Sequence, residues 1–314
     1  MKVVIAGGSG FLGRALTSAL LARGHAVVIL TRDVREQSSH LRYVTWSPGH
    51  ELPPREFGGW PAEIDGADAV INLTGASLDG GRWTRKRKEV LRQSRIESGR
   101  ALVDAMRQAS RKPSVFVSGS ACGYYGTPDD TILDESFPPG DDFLSSLCVD
   151  WEANATPASA LGVRVVLLRS GLSLAPDGGV LKKMMLPFKF FVGGPVASGR
   201  QYISWIHLDD WTGIVTWALG DATVSGAINA TAPTPVTSRE FTKSIGRAMR
   251  RPSWLPVPAF ALRILFGEMA DVVLSRGQRV VPKRALAMGY TFKYPDVDSA
   301  LDAVIGKATR RPGL

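Results

Sequence analysis

Residues 2–32 read KVVIAGGSGFLGRALTSALLARGHAVVILTR. Val3-Val4-Ile5 is apolar at successive positions, as a parallel strand covered on both faces must be. A glycine-rich turn follows, Gly7-Gly8-Ser9-Gly10-Phe11-Leu12-Gly13, then a helical stretch, then a second apolar strand over 26–30. Gly7 permits the tight turn, Gly10 lets the backbone approach a pyrophosphate with no Cβ in the way, and Gly13 lets the helix pack closely on the sheet. The N–H groups of the first helical turn, from Phe11 and Leu12 onward, then point at the phosphates. Glycines spaced this way between a strand and a helix are the mark of a dinucleotide-binding βαβ unit.

The second strand ends at Thr31-Arg32. An NAD-preferring site carries an acidic residue at about this place for the ribose 2′-hydroxyl. Arginine instead predicts NADP, because a guanidinium grips a 2′-phosphate through two charge-assisted donors and offers a free ribose no acceptor. The competing readings are a surface arginine at a strand end and a contribution from the adjacent Asp33.

Outward from this unit, apolar strands keep alternating with helical stretches. Residues 68–74 form a strand running into the small-residue turn Gly75-Ala76-Ser77, and 98–108 read as a helix with Ala101, Leu102, Ala105 and Met106 on one face. Residues 114–118 and 163–168 are further strands. Repeated β-then-α order predicts an α/β fold, a doubly wound parallel sheet of Rossmann type with its ligand crevice at the carboxyl ends of the strands. The Pro/Gly-rich stretch 48–61 reads as a surface excursion after the third strand.

The later half changes character. Residues 178–199 mix lysines, methionines and phenylalanines with a Gly193-Gly194-Pro195 turn, then a strand-like 201–206. Residues 226–231 are apolar enough to return to the sheet. From Ser238, taken as an N-cap with Glu240 behind it, come a helix, the Pro-rich 252–258 and a helix through Leu274. The expected division is a dinucleotide-binding domain over 1–172 to which 206–232 returns, and a smaller helix-rich substrate domain from 173–205 and 233–314.

Composition sets the class. The 314 residues suffice for a full core, no apolar run reaches the roughly 18 residues of a membrane span, and the start lacks an export signal. Cys122 and Cys148 give neither a disulfide framework nor a metal-ligand spacing. These features predict a cytoplasmic protein with no membrane partner and no metal. The net charge of +9 raises a polyanion reading. Seven basic residues between Arg82 and Arg95 and three between Arg247 and Arg251 carry much of it, a pattern of solvated faces, so nucleic acid is not an expected partner.

Ser118-Gly119-Ser120 with Tyr124-Tyr125-Gly126, residues 150–152 (Asp-Trp-Glu), 168–171 (Leu-Arg-Ser-Gly), 205–209 (Trp-Ile-His-Leu-Asp) and 281–290 stand out beside the opening turn, 71–76 and the Arg82-Trp83…Ser94-Arg95 segment. Together they resemble the atypical short-chain dehydrogenase/reductases labelled epimerase family proteins, over nearly the whole chain. The resemblance implies an extended short-chain dehydrogenase fold with its own C-terminal domain. Larger relatives use a Tyr-x-x-x-Lys pair one helical turn apart, the lysine lowering the tyrosine pKa for proton transfer. Counting back from Glu152, those two places hold Leu144 and Cys148, and neither can do that work.

What the resemblance leaves at the nicotinamide end is Ser120, with Tyr124 and Tyr125 beside it, as candidate catalytic residues. The bland alternative is that the serines satisfy turn amides and the tyrosines pack. Arg95 is expected to reach the dinucleotide, with solvation among its basic neighbours as the alternative. Leu73, Thr74 and Gly75 are expected along the adenosine and ribose, and Leu172 beside the nicotinamide. His207 with Asp209 and Asp210 reads as structural, the aspartates capping a helix. Asp129, Asp130, Asp134 and Glu135 read as a solvated loop, and Cys148 as a buried filler. The expected function is an NADP(H)-dependent oxidoreductase acting on a small carbonyl or sugar-like substrate. The alternatives are a non-enzymatic NADP(H) sensor or partner-binding protein and a nucleotide-sugar epimerase. Many such relatives dimerise through helices of the sheet, so the resemblance allows a homodimer, although no residue of this chain specifies the interface.

Overall fold

Seven parallel strands build the central sheet: β1 (Lys2–Ala6), β2 (Ala26–Thr31), β3 (Leu41–Thr45), β4 (Ala69–Asn72), β5 (Val115–Ala121), β6 (Arg164–Ser170) and β7 (Gly226–Ala230). In this computed structural model, which describes residues 1–32, 37–48, 59–127, 130–176, 178–256 and 277–309, they lie in the order β7-β6-β5-β4-β1-β2-β3. The order reverses between β1 and β4, where Val3 pairs with Ala69 and Ile5 with Ile71. A crevice opens at such a reversal, outside the carboxyl ends of the strands.

Alternation along each strand fills both faces. Val3 and Ile5 pack with Leu16 and Leu20 of α1 (Phe11–Leu21) and with Trp211 and Ile214 of α5 (Leu208–Gly220). Val4 and Ala6 face Leu102 and Met106 of α2 (Arg85–Gln108) on the other side. These side chains are almost wholly buried, and each Val, Ile, Leu or Met among them is worth about 1.5–3 kcal/mol of hydrophobic burial.

α2 starts at Arg85, well before the expected Ser98. Thr84 caps it by accepting the Arg87 N–H, and arginine and lysine are good helix formers, so the basic cluster makes its first turns. The 48–61 excursion is also corrected at its end: Trp60–Ile64 is a helix, with Trp60 buried edge-to-face on Trp46. Residues 49–58 lie outside the described residues, as do Asp33, Asp129 and the expected helix through Leu274.

Beyond the sheet, α3 (Phe143–Ala155) packs on α2, and α4 (Gly179–Lys189), α6 (Ser238–Met249) and α7 (Val297–Thr309) gather around Leu181, Phe188, Phe241, Ile245 and Leu301. The expected strand 201–206 is two short ones: Tyr202–Ile203 pairs with Val236–Thr237, and Trp205–His207 with Leu172–Leu174. The cap of α6 is Thr237, not Ser238. Its hydroxyl accepts from the Glu240 N–H while the Glu240 carboxylate accepts from the Thr237 N–H. No helix among the described residues is long and apolar enough to cross a membrane.

Candidate active site at the carboxyl edge of the sheet

The glycine turn is built as tightly as its sequence requires. Gly7 has φ +82°, and a Cβ there would lie 2.8 Å from the Leu73 carbonyl, against the end of β4. A Cβ on Gly13 would come within 2.3 Å of the Gly7 oxygen. Gly10 stands at the N-cap of α1 with no side-chain acceptor for the first-turn amides. The turn thus presents bare N–H groups and a positive helix end over an edge stripped of side chains. That is a fit for a diphosphate. Phe11 does more than lend its backbone, because its ring rests against Gly178 and Gly179 at the start of α4, where a Cβ on Gly178 would be 2.5 Å away.

Thr31 is buried at the end of β2, and the exposed Arg32 follows it with no ion pair among the described residues. Leu73 and Thr74 are half-buried beside the turn. The Thr74 hydroxyl lies 2.5 Å from both Asn72 Oδ1 and Ser98 Oγ, which stiffens the end of β4.

A cavity of about 380 Å³ opens from this edge. Ala121, Cys122 and Gly123 from the end of β5, Ser170–Leu172 past β6, and Leu144, Cys148 and Trp151 of α3 form one side. Val180 and Met184 of α4, Gln201–Ser204 and Gly277-Gln278 close the other, and Leu78 and Arg95 complete the wall. Leu144 and Cys148, one helical turn apart, therefore both face the space where the Tyr-x-x-x-Lys pair of the larger relatives would stand. Burial, reinforced by the nearby Glu152 charge, pushes the Cys148 thiol up to about 12, so it stays neutral.

Ser120 and Tyr125 are absent from that wall. Ser120 is 4 % exposed and donates to Glu152 Oε1 at 2.7 Å. Arg169 grips the same carboxylate through Nε and Nη2 at 2.8 and 2.9 Å, and its Nη1 donates to the Tyr125 hydroxyl at 3.0 Å. Tyr125 in turn donates to Asn229 Oδ1 at 2.7 Å, and the Tyr124 ring lies 3.4 Å from the Arg169 guanidinium carbon. Burial raises the Tyr125 pKa against the pull of Arg169. Burial also opposes the charge on Arg169, yet the hydrogen bonds and charge of Glu152 outweigh it and keep the guanidinium protonated. The expected catalytic hydroxyls of Ser120 and Tyr125 are thus spent inside a satisfied network; along β5 successive residues alternate in direction, so Ser120 turns inward where Ala121 lines the cavity.

Sequence reasoning assigned no role to the Glu152–Arg169 pair. The available signal was two charged residues inside otherwise apolar strand and helix patterns, and such charges are rarely buried unless paired. Arg95 is 8 % exposed, with its guanidinium carbon 4.9 Å from the Trp151 ring centre. His207, not an aspartate, caps α5 by accepting the Asp209 N–H at Nδ1. Asp210 accepts the Lys293 and Tyr294 amides, so it holds the C-terminal segment. The solvated-loop reading is corrected for two members: Asp134 pairs with Lys283, and Glu135 accepts the Asn229 and Arg284 amides.

Against known proteins, residues 3–230 match the family profile described as the NAD dependent epimerase/dehydratase family, and 257–304 match a domain of unknown function, DUF1731. The chain is 41% identical to the Arabidopsis thaliana "Epimerase family protein SDR39U1 homolog, chloroplastic", over 97% of this chain and 87% of that one. It is 38% identical to the Bacillus subtilis "Epimerase family protein YfhF", over 97% and 98%. The crystal structure of human epimerase family protein SDR39U1 (isoform2) with NADPH superposes with a TM-score of 0.86 at 34% identity, covering 99% of this chain and all of that one. The Thermus thermophilus UDP-glucose 4-epimerase complex with NAD shares the fold at 17% identity, with a TM-score of 0.73 and 99% of each chain covered.

Proposed function

Because the chain belongs to the NAD-dependent epimerase/dehydratase family, we propose that it binds NADP(H) across the carboxyl edge of its sheet and reduces a small carbonyl compound with an apolar body. The observation that carries this reading is the pairing of the bare glycine turn with an adjoining cavity walled at the end of β5 and past β6. In this reading the Gly7–Gly13 turn and first-turn amides of α1 hold the diphosphate, Leu73, Thr74 and Gly75 flank the adenosine side, and Leu172 borders the nicotinamide. Arg32 takes the 2′-phosphate, and the NADPH in the human relative's structure supports that choice. The bound dinucleotide supplies the hydride. The protein's part is to orient it between apolar walls, and since Leu144 and Cys148 offer neither phenol nor ammonium, the alkoxide left by hydride transfer takes its proton from solvent water. The protein works in the cytoplasm.

Titration calorimetry of NADPH and NADH tests the cofactor assignment. Wild type is expected to prefer NADPH by about tenfold or more, about 1.4 kcal/mol, and Arg32→Ala to lose that preference while keeping NADH affinity. Equal binding of the two nucleotides by wild type overturns the NADP assignment. Steady NADPH consumption with a panel of aryl and alkyl ketones and aldehydes tests the reductase reading.

A second reading, a dinucleotide-responsive binding protein without turnover, draws support from Ser120 and Tyr125, whose hydroxyls are held inside the network. Tight NADPH binding without turnover on any carbonyl compound would favour it. Nucleotide-sugar epimerase chemistry has the least support, because Leu144 and Cys148 stand on the cavity wall where the acid–base pair would be needed.

A further inference from the structure

We propose that the exposed apolar tip formed by the end of α4 and residues 250–255 docks on an anionic lipid bilayer. Its aromatic side chains enter the acyl boundary, and the cations around them meet the head groups.

Two segments assemble the tip. α4 buries Leu181, Met185 and Phe188, which leaves Leu186 on the solvent side. At its end the Pro187 carbonyl accepts the Phe190 and Val192 amides, and Phe191 takes the left-handed region at φ +62°. A bulky side chain seldom adopts that conformation, and here it turns Phe190, Phe191 and Val192 out of the core. The second segment lies against the first, because the Trp254 and Leu255 amides both donate to Gly193 O, at 3.0 and 3.2 Å. Phe190 is 70% exposed and Trp254 65%, and Leu186, Phe191, Val192 and Leu255 are exposed with them. Single exposed apolar residues need no explanation, but a cluster of this kind marks an interaction site.

Charge decides the partner. Residues 178–200 hold four basic side chains and no acidic one, and 241–256 again hold four and none. The Arg251 guanidinium carbon stands 4.4 Å from the Phe191 ring centre, so cation and ring share the tip. Lys182, Lys189 and Arg250 are exposed as well. None of these four forms an ion pair among the described residues, whereas Lys183 pairs with Asp79 and Arg247 with Asp298. A second copy of the chain suits the tip poorly, since a two-fold contact would set these cations against one another. Single-stranded nucleic acid stacks on aromatic faces, but Leu186, Val192 and Leu255 lie among the rings and give bases nothing to stack on. A bilayer suits both halves of the tip: Phe, Trp and Leu enter the interface, while lysine and arginine stems lie along them and carry their charge to the phosphates. Docking this way also brings the cavity close to the bilayer. Val180 and Met184 of the same helix line it, and Met184 stands roughly 8 Å along the axis from Lys189.

The test is co-sedimentation of the full chain with vesicles of phosphatidylcholine alone or with about one third phosphatidylglycerol. Wild type is expected to bind the anionic vesicles at least about tenfold more tightly. Phe190→Ser/Phe191→Ser should weaken that binding by about tenfold or more with an unchanged melting temperature. Should it melt early, Leu186→Ser on the solvent side of α4 carries the same comparison. Lys189→Gln/Arg251→Gln should weaken binding by about tenfold, and Arg85→Gln/Lys86→Gln, at the distant start of α2, by no more than about twofold. Phospholipid brominated on its acyl chains should quench the wild-type tryptophan emission and leave Trp254→Phe unquenched. Equal binding to neutral and anionic vesicles, or no binding to either, overturns the proposal. So do binding without quenching and equal losses in the two charge variants, which mean adsorption of a basic protein through its net charge alone. A concentration-dependent dimer in sedimentation velocity that Phe190→Ser/Phe191→Ser abolishes assigns the tip to a second copy instead, and tighter binding to single-stranded DNA than to the anionic vesicles assigns it to nucleic acid.

Discussion

Glu152 is the residue on which the centre of the molecule turns. Its carboxylate joins Ser120 of β5 to Arg169 of β6, and Arg169 carries the connection to Tyr125 and Asn229. Removing it with Glu152→Ala strands Arg169 as a buried unpaired cation, and urea unfolding is expected to show a loss of about 3–5 kcal/mol. Ser120→Ala removes one neutral donor to an already paired carboxylate and should cost about 1 kcal/mol. NADPH affinity should survive that change. These two residues show how far single positions were legible. Ser120 was singled out by the resemblance, and a matching position does not say which partner its hydroxyl finds in this fold. Glu152 was seen only as a marker for counting back to Leu144 and Cys148, because its partner stands in another element.

At the scale of elements, local rules succeeded where the chain satisfies itself nearby. The Gly7–Gly13 turn closes within one loop, and a Cβ on Gly13 has backbone in its way on the Gly7 side. Gly13→Ala is accordingly expected to destabilise the protein by about 1–3 kcal/mol and to lower NADPH affinity, read by thermal melts and calorimetry. The α6 cap slipped by one residue, from Ser238 to Thr237, since both types cap well and only the reciprocal bond with Glu240 separates them. Asp134 and Glu135 were read as solvated because their partners, Lys283 and the Arg284 amide, lie almost 150 positions away. The hydrogen bond from Lys283, then those from Ser136, hold the Asp134 pKa down to about 2. A depressed carboxylate stabilises the fold above its unfolded pKa of 3.8 and loses that contribution as pH falls through the folded value. The stability advantage of wild type over Asp134→Asn should therefore be full at pH 6 and shrink between about pH 4 and 2, as urea titrations at a series of pH values would show.

On the scale of the whole molecule, the doubly wound parallel sheet with a ligand crevice at the carboxyl ends of its strands followed from the chain alone, whereas the strand order β7-β6-β5-β4-β1-β2-β3 is decided by the structure. An apolar βαβ repeat has few ways to bury both faces of a parallel sheet, and the glycine spacing admits few ligands other than a dinucleotide. The family resemblance, carried by short motifs spread over the chain, is borne out by the match over 3–230 and by the relatives aligned along nearly the full length. What only the tertiary structure decided is the inside of the cavity. Its wall brings Leu78 and Arg95 together with Trp151, Met184, Gln201 and Gln278, drawn from segments that no local periodicity connects. Which hydroxyl faces ligand, which arginine has a carboxylate and which is left without one depend on how α3, β5 and β6 meet. Strand alternation, burial and the pairing of distant charges settle those questions in three dimensions, because the cost of an unpaired buried group is felt only once the chain has closed around it.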